Sequence, residues 1–314
     1  MSLRSQAWTV ENAAWATAQP RLSVLIPFLR DDPRLLLGAL DEEARHLAGV
    51  VEIVVLDDGS GDSALAEGVT AAALAMSTPT SFIRLSSNEG RARGRNRLTA
   101  SARGQHFLFL DSDMRPDRPT FLAEYLALIT AEDPAVTFGG FTLDHGDTRP
   151  EFALHRAVTL RAECRPAEER AAEAAKTVCA SNLLVRRDVF DVEPFDERFV
   201  GWGWEEVEWA VRVSARWPVR HVDNTATHLG LDTPAALLAK YEQSRGNFAR
   251  MLERHGDIVR AFPSYRVARL LRSMPLRATW RGVLKRLALA EHAPMLARVF
   301  AAKLFRAAVY AEVV

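Results

Sequence analysis

Residues 21–60 read RLSVLIPFLR DDPRLLLGAL DEEARHLAGV VEIVVLDDGS, and this stretch decides the fold. It contains two short apolar runs rich in β-branched residues, 22–28 and 51–56, which are typical of buried strands. Residues 33–48 between them have apolar side chains at helical spacing. A buried strand, a helix and a second buried strand make the repeating unit of a parallel sheet.

The same alternation continues through the first third of the chain. Residues 63–76 predict a helix, 81–85 a third strand, 90–102 a helix and 106–110 (HFLFL) a fourth strand. The pattern therefore predicts an α/β protein whose mainly parallel central sheet is covered by helices on both faces.

The rest of the chain has a less regular pattern. Residues 1–20 resemble a loose arm, and nearly everything after about Thr233 reads as helix. Four further elements are expected between these ends: strands over Ala135–Phe141 and Val178–Val185, one long surface helix over Glu151–Lys176, and a helix over Glu205–Arg216.

Composition limits the possible classes of protein. The 314 residues are 48% apolar and 25% charged, which is ordinary globular composition. Their formal net charge is zero, so the protein as a whole has no electrostatic field that attracts nucleic acid.

Cys164 and Cys179 lack zinc-site spacing, which favours reduced thiols in a reducing compartment. The N-terminus lacks the apolar core of a signal peptide and no stretch approaches the roughly 20 apolar residues of a membrane span. We therefore expect a cytoplasmic protein whose membrane contact, if any, is peripheral.

Ligands of open α/β sheets bind at the carboxyl ends of the strands, where this sequence places carboxylates. The first strand ends at Pro27 and Phe28, the second is followed by DDGS (57–60), and the fourth by Asp111-Ser112-Asp113. Alternation puts Asp111 and Asp113 on one side, as half of a cage for Mg²⁺ or Mn²⁺. A helix N-cap is the alternative for these residues, and a simple turn is the alternative for DDGS.

A glycine- and arginine-rich segment lies between the two acidic strand ends. Residues 88–96 read NEGRARGRN and open the helix over 90–102. A helix N-terminus with glycine and arginine suits a diphosphate, although a solvated basic helix face has the same composition.

Taken in order, these motifs resemble those of the family 2 glycosyltransferases, which have the GT-A (Rossmann-like) nucleotide-sugar-binding fold. The resemblance spans residues 21–230 and implies a donor-binding half, 21–115, and an acceptor half, 116–230. It also implies a nucleotide-sugar donor, most often a UDP-sugar, and a Mn²⁺ or Mg²⁺ cofactor.

The resemblance further implies roles for single residues. The donor-binding residues would be Pro27, Phe28, Asp57, Asp58, Arg95, Asp111 and Asp113. Among them Asp58 contacts the base with Asp57 beside it, and Arg95 lies near the base or phosphates. Asp111 lies near the ribose and metal, Asp113 is the direct metal ligand, and related enzymes place a metal-binding histidine at the position of His228.

A second motif, Gly201–Glu208 (GWGWEEVE), resembles the Gly-Trp-Gly-Gly-Glu-Asp segment of galactosyltransferase-type regions. The resemblance implies that Glu206 is the general base, that Glu205 assists it, and that Trp202, Trp204 and Glu205 bind the acceptor. Here Glu replaces the usual Asp at position 206 and Trp204 replaces a Gly, so the acceptor pocket is reshaped. An ionisable Glu206 favours inversion of the anomeric configuration, whereas a charged first helical turn would explain the glutamates structurally.

The function implied is metal-dependent transfer of a hexose or hexosamine to a hydroxyl of a glycan or glycolipid acceptor. A retaining transferase of the same fold and a non-catalytic sugar-binding scaffold are the alternatives. A nicotinamide-dependent dehydrogenase is rejected, because residues 26–30 (IPFLR) lack the glycine fingerprint expected after the first strand.

Residues 231–314 form a predicted helical extension with a strong local charge. Residues 260–314 contain eleven lysines and arginines but only two glutamates, a net charge of +9, interleaved with apolar residues at helical spacing. Such helices can lie on an anionic membrane, here the inner face of the cell membrane, or can cap the catalytic domain with a basic outer face. No nucleic-acid recognition motif accompanies the charge.

Overall fold

The structure, a computed structural model, describes residues 5–47 and 49–314. Its strands in chain order are β1 (Ala7–Glu11), β2 (Leu22–Phe28), β3 (Val51–Asp57), β4 (Thr80–Leu85), β5 (His106–Leu110), β6 (Met114–Pro116), β7 (Val136–Phe138), β8 (Phe141–Thr142), β9 (Asn182–Arg186), β10 (Val219–His221) and β11 (Ala226–His228).

Helices fill most of the remaining chain. They are α1 (Arg34–Ala44), α2 (Ser63–Ala75), α3 (Arg91–Ser101), α4 (Phe121–Glu132), α5 (Ala153–Ala162), α6 (Ala167–Ala171), α7 (Arg187–Val192), α8 (Glu205–Ser214), α9 (Pro234–Gln243), α10 (Arg245–Arg254), α11 (Gly256–Arg260), α12 (Pro263–Arg272), α13 (Arg277–Leu289) and α14 (Met295–Tyr310). The helix predicted over 33–48 is α1, and the last residue of that prediction lies outside the described residues.

Eight strands form the central sheet, in the order β1-β4-β3-β2-β5-β9-β7-β10. The inner strands β4, β3, β2 and β5 are parallel, as the alternating pattern predicts, whereas β1 and β9 run antiparallel to their neighbours. Strands β2, β3 and β5 are buried almost throughout because helices cover both faces. The predicted α/β fold with a mainly parallel sheet is confirmed.

A small second sheet lies beside the carboxyl edge of the main one. It has the order β6-β11-β8, with β11 antiparallel to β6 and parallel to β8. Because β6 begins directly after the Asp111–Asp113 turn and pairs with the end of β11, this sheet brings residues from distant parts of the chain to one edge.

The expectation of a loose N-terminal arm is wrong for the residues that the structure describes. Ala7–Glu11 forms an edge strand on β4, and the Asn12 side chain donates to the carbonyls of Met76 and Thr78. Trp15 is buried, with the Arg103 guanidinium 3.8 Å from the centre of its ring. Residues 1–4 lie outside the described residues.

The predicted long helix over 151–176 is also wrong. The segment contains a 3₁₀ turn at Pro150–Phe152, the helices α5 and α6, and a second 3₁₀ turn at Ala174–Lys176. Pro166 separates the two helices, because a proline has no N–H to donate and clashes with a preceding helical turn. The two predicted second-half strands are shorter in the structure, at Val136–Phe138 and Asn182–Arg186.

The C-terminal helices build a second hydrophobic core with the second half of the chain. Leu154, Phe199 and Val211 join this core, and Phe305 and Tyr310 of α14 lie inside it. Helix α14 is therefore part of the folded body. No helix in the described ranges is long and apolar enough to cross a membrane.

Candidate active site

The carboxyl edge of β2 and β3 carries the first group of predicted donor-binding residues. Pro27 and Phe28 end β2, Asp57 ends β3, and Asp58 follows it directly. The turn after them requires Gly59, whose φ is +73° and where a Cβ would lie 2.3 Å from the carbonyl carbon of Ser87.

The two aspartates of this turn have different environments. Asp58 accepts hydrogen bonds from the backbone N–H groups of Glu89 and Gly90, at 2.8 and 3.0 Å. Burial outweighs these bonds and raises the pKa of Asp58 to about 6. Asp57 Oδ1 accepts from the Ser60 N–H at 2.8 Å, while no described residue donates a hydrogen bond to its buried Oδ2. Asp57 Oδ2 lies 3.9 Å from Arg84 Nε, so an ion pair accompanies this carboxylate at the site where the base of a donor is expected.

Two arginines of α3 connect the donor side to the acceptor side. Arg95 Nη2 lies 2.8 Å from Asp111 Oδ1 and 3.3 Å from Glu206 Oε1. Arg91 Nε donates to Glu205 Oε1 at 2.9 Å, and its Nη2 lies 3.4 Å from Asp111 Oδ2. The arginines thus hold the end of β5 against the start of α8.

Arg95 is buried and has unused hydrogen-bonding capacity. Its side chain is 1% exposed, and no described residue accepts a hydrogen bond from its Nε or Nη1. Buried donors of this kind are costly unless a ligand uses them. Arg95 Nη1 also lies 3.8 Å from Glu205 Oε1, so the guanidinium is surrounded by carboxylates, and donor binding by Arg95 stays a prediction.

Glu205 and Glu206 occupy the first turn of α8 but differ in exposure. Glu205 is 3% exposed and is held by Arg91, whereas Glu206 is 18% exposed. Burial and the adjacent Glu205 raise the pKa of Glu206 to about 7, although Arg95 and Arg91 oppose the change. A carboxylate with a pKa near neutrality is suited to general base catalysis.

Asp113 and His228 form a separate pair at the edge of the small sheet. Asp113 Oδ2 lies 3.2 Å from His228 Nε2, and both side chains are partly exposed. Burial raises the pKa of Asp113, but His228, through its charge and hydrogen bond, acts together with Arg91 and the pKa of Asp113 is lowered overall. A Cβ at Gly230 would lie 1.8 Å from Asp113 Oδ2, so only glycine fits beside this carboxylate.

The donor atoms of this pair suit Mn²⁺ or Mg²⁺ only in part. A carboxylate oxygen and an imidazole nitrogen are both ligands that Mn²⁺ accepts. Within residues 5–47 and 49–314, no three histidine, cysteine or carboxylate side chains are grouped so as to hold a metal ion. Asp111 belongs instead to the arginine network, so of the three predicted ligands Asp113 and His228 lie together, and their binding of a metal stays a prediction.

The two tryptophans of the GWGWEE segment pack against the C-terminal helices. Trp204 adopts a left-handed backbone with φ +76°, which is unusual for a bulky residue. Its indole N–H donates to the Tyr310 hydroxyl at 2.9 Å, and its ring stacks on Phe262. The Trp202 ring lies 6.1 Å from the ring of Tyr241. Acceptor binding by the two tryptophans stays a prediction.

The structure thus gathers the predicted residues into neighbouring groups along one edge. Sequence reasoning missed two members of this arrangement, Arg91 and Gly230. Arg91 lies inside the quoted NEGRARGRN motif, directly after Gly90, so its position at the helix N-terminus was a usable signal. Gly230 follows His228 by two residues, and nothing in the sequence pattern separates it from an ordinary loop glycine.

The chain belongs to glycosyl transferase family 2, whose family model matches residues 23–192. Glucosyl-3-phosphoglycerate synthase of Mycolicibacterium smegmatis is 28% identical over 137 residues, which cover 43% of this chain and 45% of that protein. The chain therefore matches less than half the length of this curated relative, and 35% of its counterpart in Mycolicibacterium paratuberculosis.

Solved structures of glycosyltransferases share the fold. A mannosyltransferase of Pyrobaculum calidifontis, in complex with GDP-Man and Mn²⁺, superposes with a TM-score of 0.57 at 16% identity, covering 96% of this chain and 89% of that one. Glucosyl-3-phosphoglycerate synthase of Mycobacterium tuberculosis, in complex with phosphoglyceric acid, has a TM-score of 0.51 at 19% identity, with 78% and 82% covered. The predicted family and GT-A fold are confirmed, and the likeness of the GWGWEE segment stays a prediction.

Proposed function

We propose that this protein transfers a hexose or hexosamine from a nucleotide-sugar to a hydroxyl group of a glycan or glycolipid, with inversion at the anomeric carbon. The observation that carries the proposal is the position of Arg95, which joins Asp111 on the donor side to Glu206 on the acceptor side. A general base next to the donor edge is what a direct displacement needs.

The residues suggest one step for the displacement. Ionised Glu206 accepts the proton of the acceptor hydroxyl as the hydroxyl oxygen attacks the anomeric carbon. The bond from that carbon to the diphosphate oxygen breaks, and the nucleoside diphosphate leaves with the bonding electron pair. Arg95, whose Nε and Nη1 make no hydrogen bond to a described residue, would bind the donor. A divalent cation held by Asp113 and His228 would supply Lewis-acid stabilisation of the leaving diphosphate.

The proposed donor is a UDP-sugar, on the ground of the family resemblance. Because the Pyrobaculum calidifontis enzyme was solved with GDP-Man, GDP is the comparison that matters most. With Mn²⁺ present, UDP is expected to raise the melting temperature more than GDP, CDP or dTDP, since a bound ligand stabilises by mass action. If another nucleoside diphosphate raises the melting temperature more than UDP does, the UDP-sugar proposal is wrong, but the transferase proposal is unaffected.

Metal dependence is tested through Asp113. Asp113→Ala should abolish Mn²⁺-dependent binding of the nucleoside diphosphate and turnover of the donor. Asp257→Ala is the matched control, because Asp257 is fully exposed and, among the residues that the structure describes, pairs with its helix neighbour Arg260 alone. If Asp113→Ala retains Mn²⁺-dependent binding, the metal assignment is wrong.

One experiment tests both the stereochemistry of the transfer and the presence of catalytic activity. Proton NMR of the product from an α-linked donor should show a β-linkage. An α-linkage would identify a retaining transferase of the same fold. If the wild-type protein binds the nucleotide but neither transfers nor hydrolyses the donor over a panel of glycan acceptors, a sugar-binding scaffold is the better description.

The proposed acceptor is a glycan or a lipid-linked glycan, met at the inner face of the cell membrane through residues 260–314. The high positive charge of this segment and its exposed apolar side chains support the membrane contact.

A further inference from the structure

Helices α12 and α13, with the turn that joins them, span residues 263–289; both helices pack on α14 rather than on each other, and their outer side is largely exposed. This segment is called the α12–α13 hairpin below. Each helix has a single buried residue, Ala268 in α12 and Ala288 in α13. The remaining side chains are exposed or partly exposed, in contrast to α14, half of whose residues are buried. Leu271 and Leu284 of the hairpin pack against the second core, whereas several of its other large apolar side chains are exposed.

Large apolar side chains are concentrated on this hairpin. Leu276 is 73% exposed, Leu270 67% and Trp280 50%, and Met274 is exposed as well. These four surround the turn that joins the two helices. An exposed apolar tip of this kind marks an interaction surface more often than isolated exposed leucines do.

Arginines flank the apolar tip, and most of them have no carboxylate partner among the described residues. No Asp or Glu occurs between Asp257 and Glu291. Arg281 and Lys285 pair with Glu312 and Glu242. Within the described part of the chain, five further arginines of the hairpin have no carboxylate partner: Arg266, Arg269, Arg272, Arg277 and Arg286.

Three of these arginines border an open groove along α12. One part of the groove, about 520 Å³, is lined by Arg260, Tyr265, Arg266, Arg269, Leu270 and Ser273. The adjoining part, about 570 Å³, shares Tyr265, Arg269 and Ser273 and adds Arg272 and Val314. No carboxylate side chain lines either part. Guanidinium, phenol and hydroxyl donors around an open groove match the oxygens of a phosphate group.

We propose that the α12–α13 hairpin docks on an anionic phospholipid surface, with the tip residues Leu276 and Trp280 in the interface and headgroup phosphates in the arginine-lined groove. The proposal rests on the lipid-linked acceptor proposed above and names the part of the chain that reaches it. Charge complementarity and the apolar tip together favour a membrane over nucleic acid, which would use the arginines but not Leu276. Each basic residue near an anionic surface strengthens binding by roughly fivefold.

The test uses the full chain, because removing α14 would remove Phe305 and Tyr310 from the second core. The protein is sedimented with vesicles of equal parts phosphatidylcholine and phosphatidylglycerol, and with phosphatidylcholine alone, at low and high salt. Binding is expected on the anionic vesicles only, and it should weaken as salt screens the charges.

Two variants separate the two halves of the proposal. R266E/R269E/R272E should weaken anionic vesicle binding by more than about 100-fold, from three lost contacts of roughly fivefold each. L276S/W280S should weaken it at both salt concentrations, because the apolar contact is not screened. The controls are R45E/R118E/R149E, which reverse the charge of exposed but ion-paired arginines outside the C-terminal helices, and L35S/L74S, which change exposed leucines of α1 and α2; both should bind vesicles like the wild type.

Two further probes distinguish the sources of phosphate. Inorganic phosphate at the concentration of the lipid headgroups should compete only weakly, since it lacks the apolar contact. A short DNA duplex that binds as tightly as the vesicles, with no effect of L276S/W280S, would overturn the proposal in favour of a polyanion site. Equal binding of wild type and R266E/R269E/R272E to anionic vesicles would also overturn it.

An assay of donor hydrolysis in Mn²⁺ without vesicles tests the transferase function independently of membrane docking. Both hairpin variants should hydrolyse the donor like the wild type, because none of their residues lies at the candidate active site. Vesicle binding without hydrolysis would contradict the transferase alone, and hydrolysis without vesicle binding would contradict the docking surface alone.

Discussion

Replacing Glu206 by glutamine should make the folded protein more stable at pH 8 while it removes the proposed base. Three carboxylates, Asp111, Glu205 and Glu206, share two arginines, so the network carries an excess negative charge. Burial and Glu205 raise the pKa of Glu206 from 4.5 to about 7. Glutamine keeps the shape and an oxygen that can accept from Arg95.

The sign of the effect follows from linkage. A carboxyl group whose pKa is higher in the folded chain than in the unfolded chain destabilises the fold as the pH rises from 4.5 to about 7, because the unfolded chain loses its proton first. Each pKa unit corresponds to about 1.4 kcal/mol, so the cost of ionised Glu206 at pH 8 is on the order of 3 kcal/mol. At pH 4 the group is protonated in both states and the cost vanishes.

Thermal unfolding of the metal-free protein between pH 4 and pH 8 measures this difference. Glu206→Gln should unfold several degrees above the wild type at pH 8 and at the same temperature at pH 4. Glu205→Gln is the control: it weakens the bond that Arg91 donates to a buried acceptor and should lower the stability. A Glu206→Gln variant that unfolds at or below the wild-type temperature at pH 8 would refute the reasoning.

Three further predictions concern the site and the second core. Glu206→Gln should lower kcat by about 10²–10⁴-fold with donor binding intact; a larger kcat loss in Glu205→Gln at saturating acceptor would reverse the two roles. Gly230→Ala should displace the Asp113 carboxylate, because its Cβ would lie 1.8 Å from Oδ2, and should weaken Mn²⁺-dependent nucleotide binding in a titration; unchanged binding would show that the pair is not a metal site. Phe305→Ala should cost about 3–5 kcal/mol in denaturant unfolding, because Phe305 is fully buried in the second core; a loss below about 1 kcal/mol would mean that α14 is only loosely attached.

The local pattern of apolar residues in the sequence was enough to predict the inner, parallel strands of the central sheet. Strands β2, β3 and β5 are apolar on both faces, and that composition follows from burial between two helical layers. The positions of the DDGS turn and of Asp111-Ser112-Asp113 followed as well, since parallel strands end at the same edge and polar residues interrupt the apolar runs there.

Elements that depend on a distant partner were not predictable in this way. Strand β1 is exposed along most of its length and is a strand only because β4 offers it an unpaired edge. The break in the helix predicted over 151–176 was readable at Pro166, but the burial of Arg170 against Phe138 and Gly139 was not. Edge pairing and buried ion contacts depend on which surfaces meet after folding.

The sequence by itself therefore determined the family, the inner sheet and the types of residue that carry the chemistry. Only the tertiary structure decided how those residues are grouped: Asp113 with His228, Asp111 with the two arginines, and Trp204 against the C-terminal helices. The reason is physical. Periodicity reports which face of an element is buried, whereas a hydrogen bond or an ion pair between residues far apart in the chain depends on the packing of whole elements.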